Sequence, residues 1–376
     1  MSQYFAPSVY VEEIVPPPAL GLRTGIPVFL GLTETGPEQT AGPDAFAITC
    51  WEEFKQKFGN LITKGYLGNA VRGFFLNDGK LCYVFPLKTD SEISLRKALE
   101  KLESWEVFDL VCAPDLMLTP SQAITLQRVI LDYCEKQGDC FALLDALPAS
   151  GIEEVLKQRY ALSSPDGALY YPWLRVNDGT TSTDVLVPPC GYIAGVYARS
   201  DEQSDVHKAP ANEILKAVDD LEFQINRTEQ GRLNPYGVNC LRLFAGRGIR
   251  VWGARTLSAS TEWRYINVRR LFLTVGRWCE KNLADVIFEP NQPMLWDYIK
   301  RALKAYFTEL YRKGALQGGS PREAFYVKCD ALTNSPEVHE QGKIVTEIGL
   351  AVTVPSEFVV MRIIHNTSGI SITGAV

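Results

Sequence analysis

Two carboxylates stand where α/β enzymes can place metal ligands. Asp115 and Asp145 each follow an apolar run, Asp109–Ala113 and Phe141–Leu144, and the carboxyl ends of buried strands are where open α/β sheets carry their chemistry. Neither has the companions such chemistry needs. Gly31–Gly36 has the glycine spacing of a phosphate loop but continues into Pro37, so no Lys or hydroxyl follows to hold phosphate and metal. Gly246-Arg247-Gly248 lacks the third glycine of a dinucleotide fingerprint, because position 251 is Val251. No GxSxG elbow or HExxH pair occurs. The three histidines, His207, His339 and His365, are far apart. The nine cysteines are odd in number and contain no CxxC; the closest pair is Cys134 and Cys140. They read as buried free thiols of a reducing compartment, not as a disulfide framework or a zinc site. Asp115 and Asp145 therefore read as loop or cap residues. No catalytic residue, cofactor or metal is expected.

The chain has 376 residues, 46% hydrophobic and 22% charged, enough for one large domain or two to three smaller ones with real cores. No run of 18 apolar residues predicts a membrane span. The start, MSQYFAPSVYVEEIVPPP, has neither the basic opening nor the apolar stretch of a secretory signal. No direct membrane insertion and a cytoplasmic place of assembly are the expectation. The net charge of −6 hides an asymmetry: Arg242–Lys313 carries 14 basic and 6 acidic residues, a balance of +8 that leaves −14 elsewhere. Such a block either meets an anionic partner or solvates amphipathic helices. Nucleic acid is not the expected partner, because the aromatics here (Trp263, Trp278, Trp296, Tyr306) fit core stripes better than stacking platforms, and the whole chain is acidic.

The elements that would position these residues follow from periodicity. Val9–Ile14 is β-prone and Pro16-Pro17-Pro18 blocks a helix, so residues 1–25 read as an extended arm. From Pro27, short apolar strands (Val28–Leu32, Ala45–Thr49, Leu81–Phe85, Asp109–Ala113, Phe141–Leu144) alternate with helices (Trp51–Phe58, Gly68–Asn77, Ser91–Leu102, Pro120–Gln137). That alternation predicts a parallel or mixed sheet covered on both faces. Val187–Arg199 reads as a loop entering a helix at its proline pair, Ser200–Asn212 as a polar loop, and Cys240–Ala254 as an apolar, glycine-punctuated and basic stretch. Two amphipathic helices follow. In Glu262–Leu283 the stripe is Val268, Leu271, Phe272, Val275, Trp278 and Cys279, with Arg264, Arg269, Arg270 and Arg277 largely beside or opposite it. In Pro293–Gly314 it is Leu295, Ile299, Ala302, Leu303, Tyr306, Phe307 and Leu310. Strands are expected at Phe325–Cys329, Ile344–Val352 and Phe358–Ile364, and 366–376 reads as a second extended arm.

Several segments of the second half are similar to one family. Val187–Arg199 (VPPCGYIAGVYAR), Lys208–Glu213 (KAPANE), Asn234–Arg242 (NPYGVNCLR), Gly246–Leu257 (GRGIRVWGARTL), Trp263–Phe272 (WRYINVRRLF), Phe288–Asn291 (FEPN) and Gly314–Asp330 (GALQGGSPREAFYVKCD) occur in the order found in that family. The chain resembles the tail sheath proteins of contractile phage tails and phage-tail-like injection systems over roughly 187–365. Tyr10–Glu13 followed by prolines is similar too, whereas 35–180 matches only in general character. One departure is His207, where the family often has Trp before Lys-Ala-Pro.

The resemblance implies a structural protein: subunits that stack as rings or a helix around an inner tube, are assembled extended and metastable, and contract to drive the tube through a target envelope. The implied partners are further copies of the chain, the inner tube protein, baseplate and terminal cap proteins, and a paralogous sheath chain where one exists. The implied fold class is α/β (mixed α+β), a two-domain subunit with mixed sheets flanked by helices and extended terminal β arms. The expected divisions are 1–25, 26–250, 251–365 and 366–376. The family's arms add strands to neighbouring subunits, which assigns that role to Val9, Tyr10, Val11 and Glu12 at one end and to Ile370 and Ile372 at the other. An inner helix docks on the tube in this family. The basic helix 293–314 is the candidate here, with Lys300, Arg301 and Lys304 as contacts to acidic groups; a merely solvated basic face is the alternative.

Overall fold

The computed structural model describes residues 22–34, 45–61, 65–177, 184–353, 358–366 and 369–374. The chain forms two compact units. The larger comprises Leu22–Cys279 and Val352–Val359; among the described residues the smaller comprises Glu280–Ala351 and everything from 360 onward.

The larger unit begins with β1 (Pro27–Gly31), β2 (Phe46–Ile48), α1 (Trp51–Phe58), α2 (Leu67–Leu76), β3 (Cys82–Pro86), α3 (Glu92–Leu102) and β4 (Leu110–Cys112). It continues with α4 (Pro120–Gln137), β5 (Phe141–Asp145), α5 (Ile152–Tyr160), β6 (Gly167–Tyr171), β7 (Leu174–Val176), β8 (Val185–Val187) and α6 (Cys190–Ser204). The last elements are β9 (Asp220–Leu221), α7 (Arg227–Leu233), β10 (Val238–Phe244), β11 (Gly248–Trp252) and α8 (Ile266–Asn282). Eight strands form one sheet in the order β11-β10-β6-β5-β4-β1-β3-β2. The central six run parallel, and β2 and β11 close the edges antiparallel.

Alternation along the strands sends side chains to two separate cores. Val28 and Leu30 of β1 and Ala142 and Leu144 of β5 join Leu95, Leu99, Leu126 and Ile130 from α3 and α4 on one face. Phe29, Phe141 and Leu143 join Phe74, Ile193, Tyr197 and Leu273 from α2, α6 and α8 on the other. A sheet buried on both faces is what apolar strands between helices require. The edge at β11 is covered: Val251 donates to the Glu213 carbonyl at 3.0 Å and accepts from the Asn212 N–H at 2.7 Å.

Local signals account for several ends. Ser91 caps α3 with its hydroxyl accepting from the Ser94 N–H, and Gly138 ends α4 in the left-handed conformation (φ 71°). The structure departs from the sequence reading in two places and supplies the element for a stretch that had none. The stretch Cys240–Ala254 is a hairpin, β10 and β11, turning at Gly246 (φ 71°) and Gly248 (φ 73°). The expected boundary at 250/251 therefore falls inside β11, where Trp252 pairs with Cys240, and the larger unit runs on to Cys279. The polar stretch after Arg199 stays helical to Ser204.

The smaller unit contains α9 (Pro293–Arg312), α10 (Pro321–Ala324), β12 (Phe325–Lys328), α11 (Pro336–Glu340), β13 (Ile344–Ala351), β14 (Phe358–Asn366) and β15 (Gly369–Gly374). Its sheet order is β12-β13-β14-β15. Ile299, Leu303, Tyr306, Phe307 and Leu310 are the buried stripe of α9, and the Phe307 ring lies 5.5 Å from that of Phe325 on β12.

Helices α2 and α6 approach closely enough that a Cβ on Gly191 would lie 2.3 Å from the Ala70 carbonyl oxygen. Backbone cannot yield there, so Gly191→Val is expected to cost about 3 kcal/mol through overpacking. Urea unfolding of the purified chain measures this, and a variant within 0.5 kcal/mol of wild type, roughly the scatter of neutral surface changes, would mean that the two helices separate easily.

Candidate functional site

A buried ionic cluster lies where the chain enters the larger unit. Arg270 on α8 is 2% exposed. Its guanidinium donates to both Asp201 oxygens, at 2.9 and 2.5 Å, and to Asp109 Oδ2 at 3.0 Å. It also lies 4.8 Å above the Tyr197 ring, whose hydroxyl is 2.8 Å from that of Tyr170. Burial opposes the charge on Arg270, but Asp201 and Asp109 more than offset it and hold the guanidinium further above its usual range. Asp109 does a second job: its carboxylate accepts from the backbone N–H groups of Gly25 (3.0 Å) and Ile26 (2.7 Å). A Cβ at Gly25 would lie 2.5 Å from Ala198 Cα, and its φ is 71°. The entering segment is thus pinned against α6 at a position only glycine fits.

The other arginines of α8 are also engaged. Arg269 bonds Asp166 through two nitrogens, at 2.5 and 3.0 Å, and stacks 4.9 Å from the Trp263 ring. Arg277 is buried and donates to the Glu106 carbonyl. The expectation that these side chains lie mostly beside or opposite the apolar stripe is corrected here. Arg270 and Arg277 are inside, neutralised or bonded by the larger unit itself.

Asp115 and Asp145 hold backbone. The Asp115 carboxylate accepts from Leu32, Tyr66 and Leu67 N–H groups at 2.6, 2.5 and 3.2 Å. A Cβ on Gly31 would lie 2.5 Å from its Oδ2, so that glycine admits the carboxylate, not a phosphate. Asp145 accepts from the Cys190 N–H at 2.8 Å at the start of α6. Burial raises Asp115 to about 6 and Asp145 to about 7, against the lowering effect of those bonds. Among the described residues, no group of three His, Cys, Asp or Glu side chains could hold a metal ion. Eight of the nine cysteines are buried thiols.

The residues assigned to assembly are placed as follows. Val9, Tyr10, Val11 and Glu12 lie outside the described residues. Ile370 and Ile372 are on β15, opposite His365 and Ile363 of β14 in the same chain, and β15 is the last strand of its sheet. Lys300, Arg301 and Lys304 lie on α9 away from its buried stripe. Arg301 and Lys304 are exposed, and Lys300 pairs with Asp297 at 2.8 Å, which holds that carboxyl below its ordinary value. Two other features of this unit leave no mark in the sequence pattern. Phe288 is 88% exposed in a left-handed backbone conformation (φ 73°), and Met294, at the start of α9, is 78% exposed. A bulky aromatic that is both strained and unburied is a rare combination.

A family model of the phage tail sheath protein central domain matches residues 91–257, and one of the phage tail sheath C-terminal domain matches 258–365. The chain belongs to the phage tail sheath protein family. It is 24% identical over 355 residues to the tail sheath protein of Salmonella phage ViI, covering 86% of this chain and 54% of that one. The chain spans about half the length of that phage protein. Among solved structures it is similar to the helical sheath of the anti-feeding prophage in the contracted state, with 28% identity and a TM-score of 0.77 over 95% of this chain and 98% of that one. It is also similar to the sheath complex of the extracellular contractile injection system PVC in its contracted state, with 27% identity and a TM-score of 0.77 over 96% and 97% of the two chains. Among the described residues no helix is long and apolar enough to cross a membrane.

Two predictions follow from the buried carboxylates. Arg270→Leu leaves Asp109 and Asp201 buried and uncompensated and is expected to cost about 3–5 kcal/mol of unfolding free energy in urea titrations at pH 7; a loss below 1 kcal/mol would mean that water reaches the cluster freely. Asp145 has its folded value raised from 3.8 to about 7, so the folded state keeps a proton that the unfolded chain has lost. The stabilisation is full below about pH 4 and is lost as pH rises through 7, on the order of 4 kcal/mol. Asp145→Asn keeps an acceptor for Cys190, flattens that slope and equals or exceeds wild type at pH 8. Parallel stability profiles for the two proteins between pH 4 and 8 would refute it.

Proposed function

We propose that the chain is the structural subunit of a contractile sheath. Copies polymerise as stacked rings or a helix around an inner tube, and contraction of that polymer drives the tube through a target envelope. The observation that carries this reading is the likeness to the contracted anti-feeding prophage sheath, which extends over nearly the full length of both chains. The two buried carboxylates that might have served catalysis, Asp115 and Asp145, accept from backbone N–H groups, which supports a non-enzymatic role. The energy of motion then comes from repacking between subunits, not from nucleotide hydrolysis.

The partners are further copies of this chain, the tube protein, and the baseplate and cap proteins at the ends. Assembly takes place in the cytoplasm, into a phage tail or tail-like particle. The terminal segments carrying Val9–Glu12 and Ile370 and Ile372 add strands to neighbours, each backbone bond contributing about 1 kcal/mol net. Lys300, Arg301 and Lys304 face acidic groups on the tube. Exposed ion pairs are individually worth less than about 1 kcal/mol, which suits contacts that must release on contraction.

Negative-stain electron microscopy of the purified chain, alone and with its tube protein, tests the reading. Hollow striated tubes are expected; small uniform particles under both conditions would refute it. The Lys300→Glu, Lys304→Glu double variant is expected to fold normally and to give fewer than about a tenth of the extended particles, two lost contacts of this size each lowering occupancy several-fold. Normal extended particles would remove these lysines from the tube interface.

A further inference from the structure

A cavity of about 580 Å³ opens on the larger unit between the end of α5, the turn before β10 and the segment following β11. Three arginines line it, Arg159, Arg255 and Arg264, and no Asp or Glu does. Two tyrosines form one rim: Tyr160 is 64% and Tyr236 46% exposed, their rings 5.4 Å apart at 73°. Hydroxyls of Ser258 and Ser260 line another part.

The wall is held rigidly. Arg159 donates to the carbonyls of Tyr236, Leu162 and Leu257, tying three separate segments together. Gly237 has a φ of 85°, and a Cβ there would lie 2.5 Å from the Thr256 carbonyl oxygen, so the turn sits directly on the following strand's exit. Arg255 donates through Nη1 to the Pro235 carbonyl at 3.2 Å and lines the cavity. Arg264 has no acceptor among the described residues. Glu153, which approaches Tyr160, is already paired with Arg232. A preorganised cup with cationic walls and exposed tyrosines has the composition of an interface hot spot.

We propose that this cup is a contact between copies of the chain, receiving an acidic surface segment of a neighbouring subunit whose carboxylates bond Arg264 and Arg255 while Tyr160 and Tyr236 cover it. The argument for a second copy is charge complementarity. The cup's lining has Arg159, Arg255 and Arg264 and no Asp or Glu, whereas the chain outside Arg242–Lys313 has a net charge of −14, so every copy brings both the cup's sign and its opposite. Steering between such surfaces favours orderly docking and weakens with salt. The inference rests on the sheath reading.

Two experiments test it. A photo-reactive phenylalanine analogue placed at position 160 of the assembled polymer is expected to cross-link to Asp- and Glu-rich peptides of a neighbouring copy, read by mass spectrometry with isotope-mixed subunits. Cross-links confined to its own copy or to a different protein would overturn the assignment. The Tyr160→Ser, Arg264→Glu variant is expected to keep the wild-type unfolding temperature while its critical concentration for polymerisation rises roughly tenfold or more, as loss of a hot spot does; Arg264→Lys is expected to retain most of the wild-type behaviour. An unchanged critical concentration would overturn the cup as a contact and leave the sheath reading standing. A wild-type chain that never polymerises, with or without its tube protein, would remove both.

Discussion

A guanidinium buried between two carboxylates must be matched in charge and in geometry at once, and at Arg270 that match fixes where the chain enters the larger unit. Asp109 comes from the start of β4, Asp201 from α6 and Arg270 from α8. None of the three is tolerable alone at this depth, because an unpaired buried charge costs several kcal/mol. The cluster therefore forms only when sheet and both helices are in their final places. Since Asp109 also holds the N–H groups of Gly25 and Ile26, the root of the N-terminal segment is set by the same condition. A pull transmitted along that segment would meet charge-assisted bonds in a dry interior before it reached any apolar packing.

Much of the architecture was legible because strands buried on both faces and helices with one apolar stripe leave strong periodic marks. The sequence placed Trp51–Phe58 and Pro120–Gln137 at their observed limits, and five of the seven side chains it read as the stripe of α9 are buried, with Leu295 and Ala302 half-buried. The ion pairs were not legible. Arg269 and Arg270 sit at positions where an amphipathic helix ordinarily meets water, and their acceptors, Asp166, Asp109 and Asp201, are distant in sequence with no pattern linking them. Helix α5 left a signal that went unread: Glu153 and Glu154 in its first turn and Lys157 and Arg159 in its last suit the helix dipole. Asp115 and Asp145 read as loop or cap residues for want of companions; Asp145 instead ends β5, and both hold backbone N–H groups that only the fold brings to them. Phe288 could not be anticipated, since its exposure and its left-handed backbone are properties of three dimensions only.

The charge distribution takes on a different meaning once the helices are seen. The excess of basic residues between Arg242 and Lys313 is divided among three uses. Arg269 and Arg270 neutralise buried carboxylates within the larger unit, Arg255 and Arg264 line an open cup, and Arg301 and Lys304 stand exposed on α9. A single net charge for the segment conceals that division. The first use builds the subunit, and only the others remain for recognition.

The glycine-mediated approach of α2 and α6 carries a mechanical corollary. Layers in which backbone lies against backbone have little free volume, and tightly packed interiors have low compressibility and pass strain on without absorbing it. On the sheath reading, the larger unit would then act as a gear tooth, not as a spring. Work released when neighbours re-engage would be handed to the next subunit as displacement, with little lost to internal deformation. The stroke of a long polymer could then scale with the number of subunits, each one contributing an equal step.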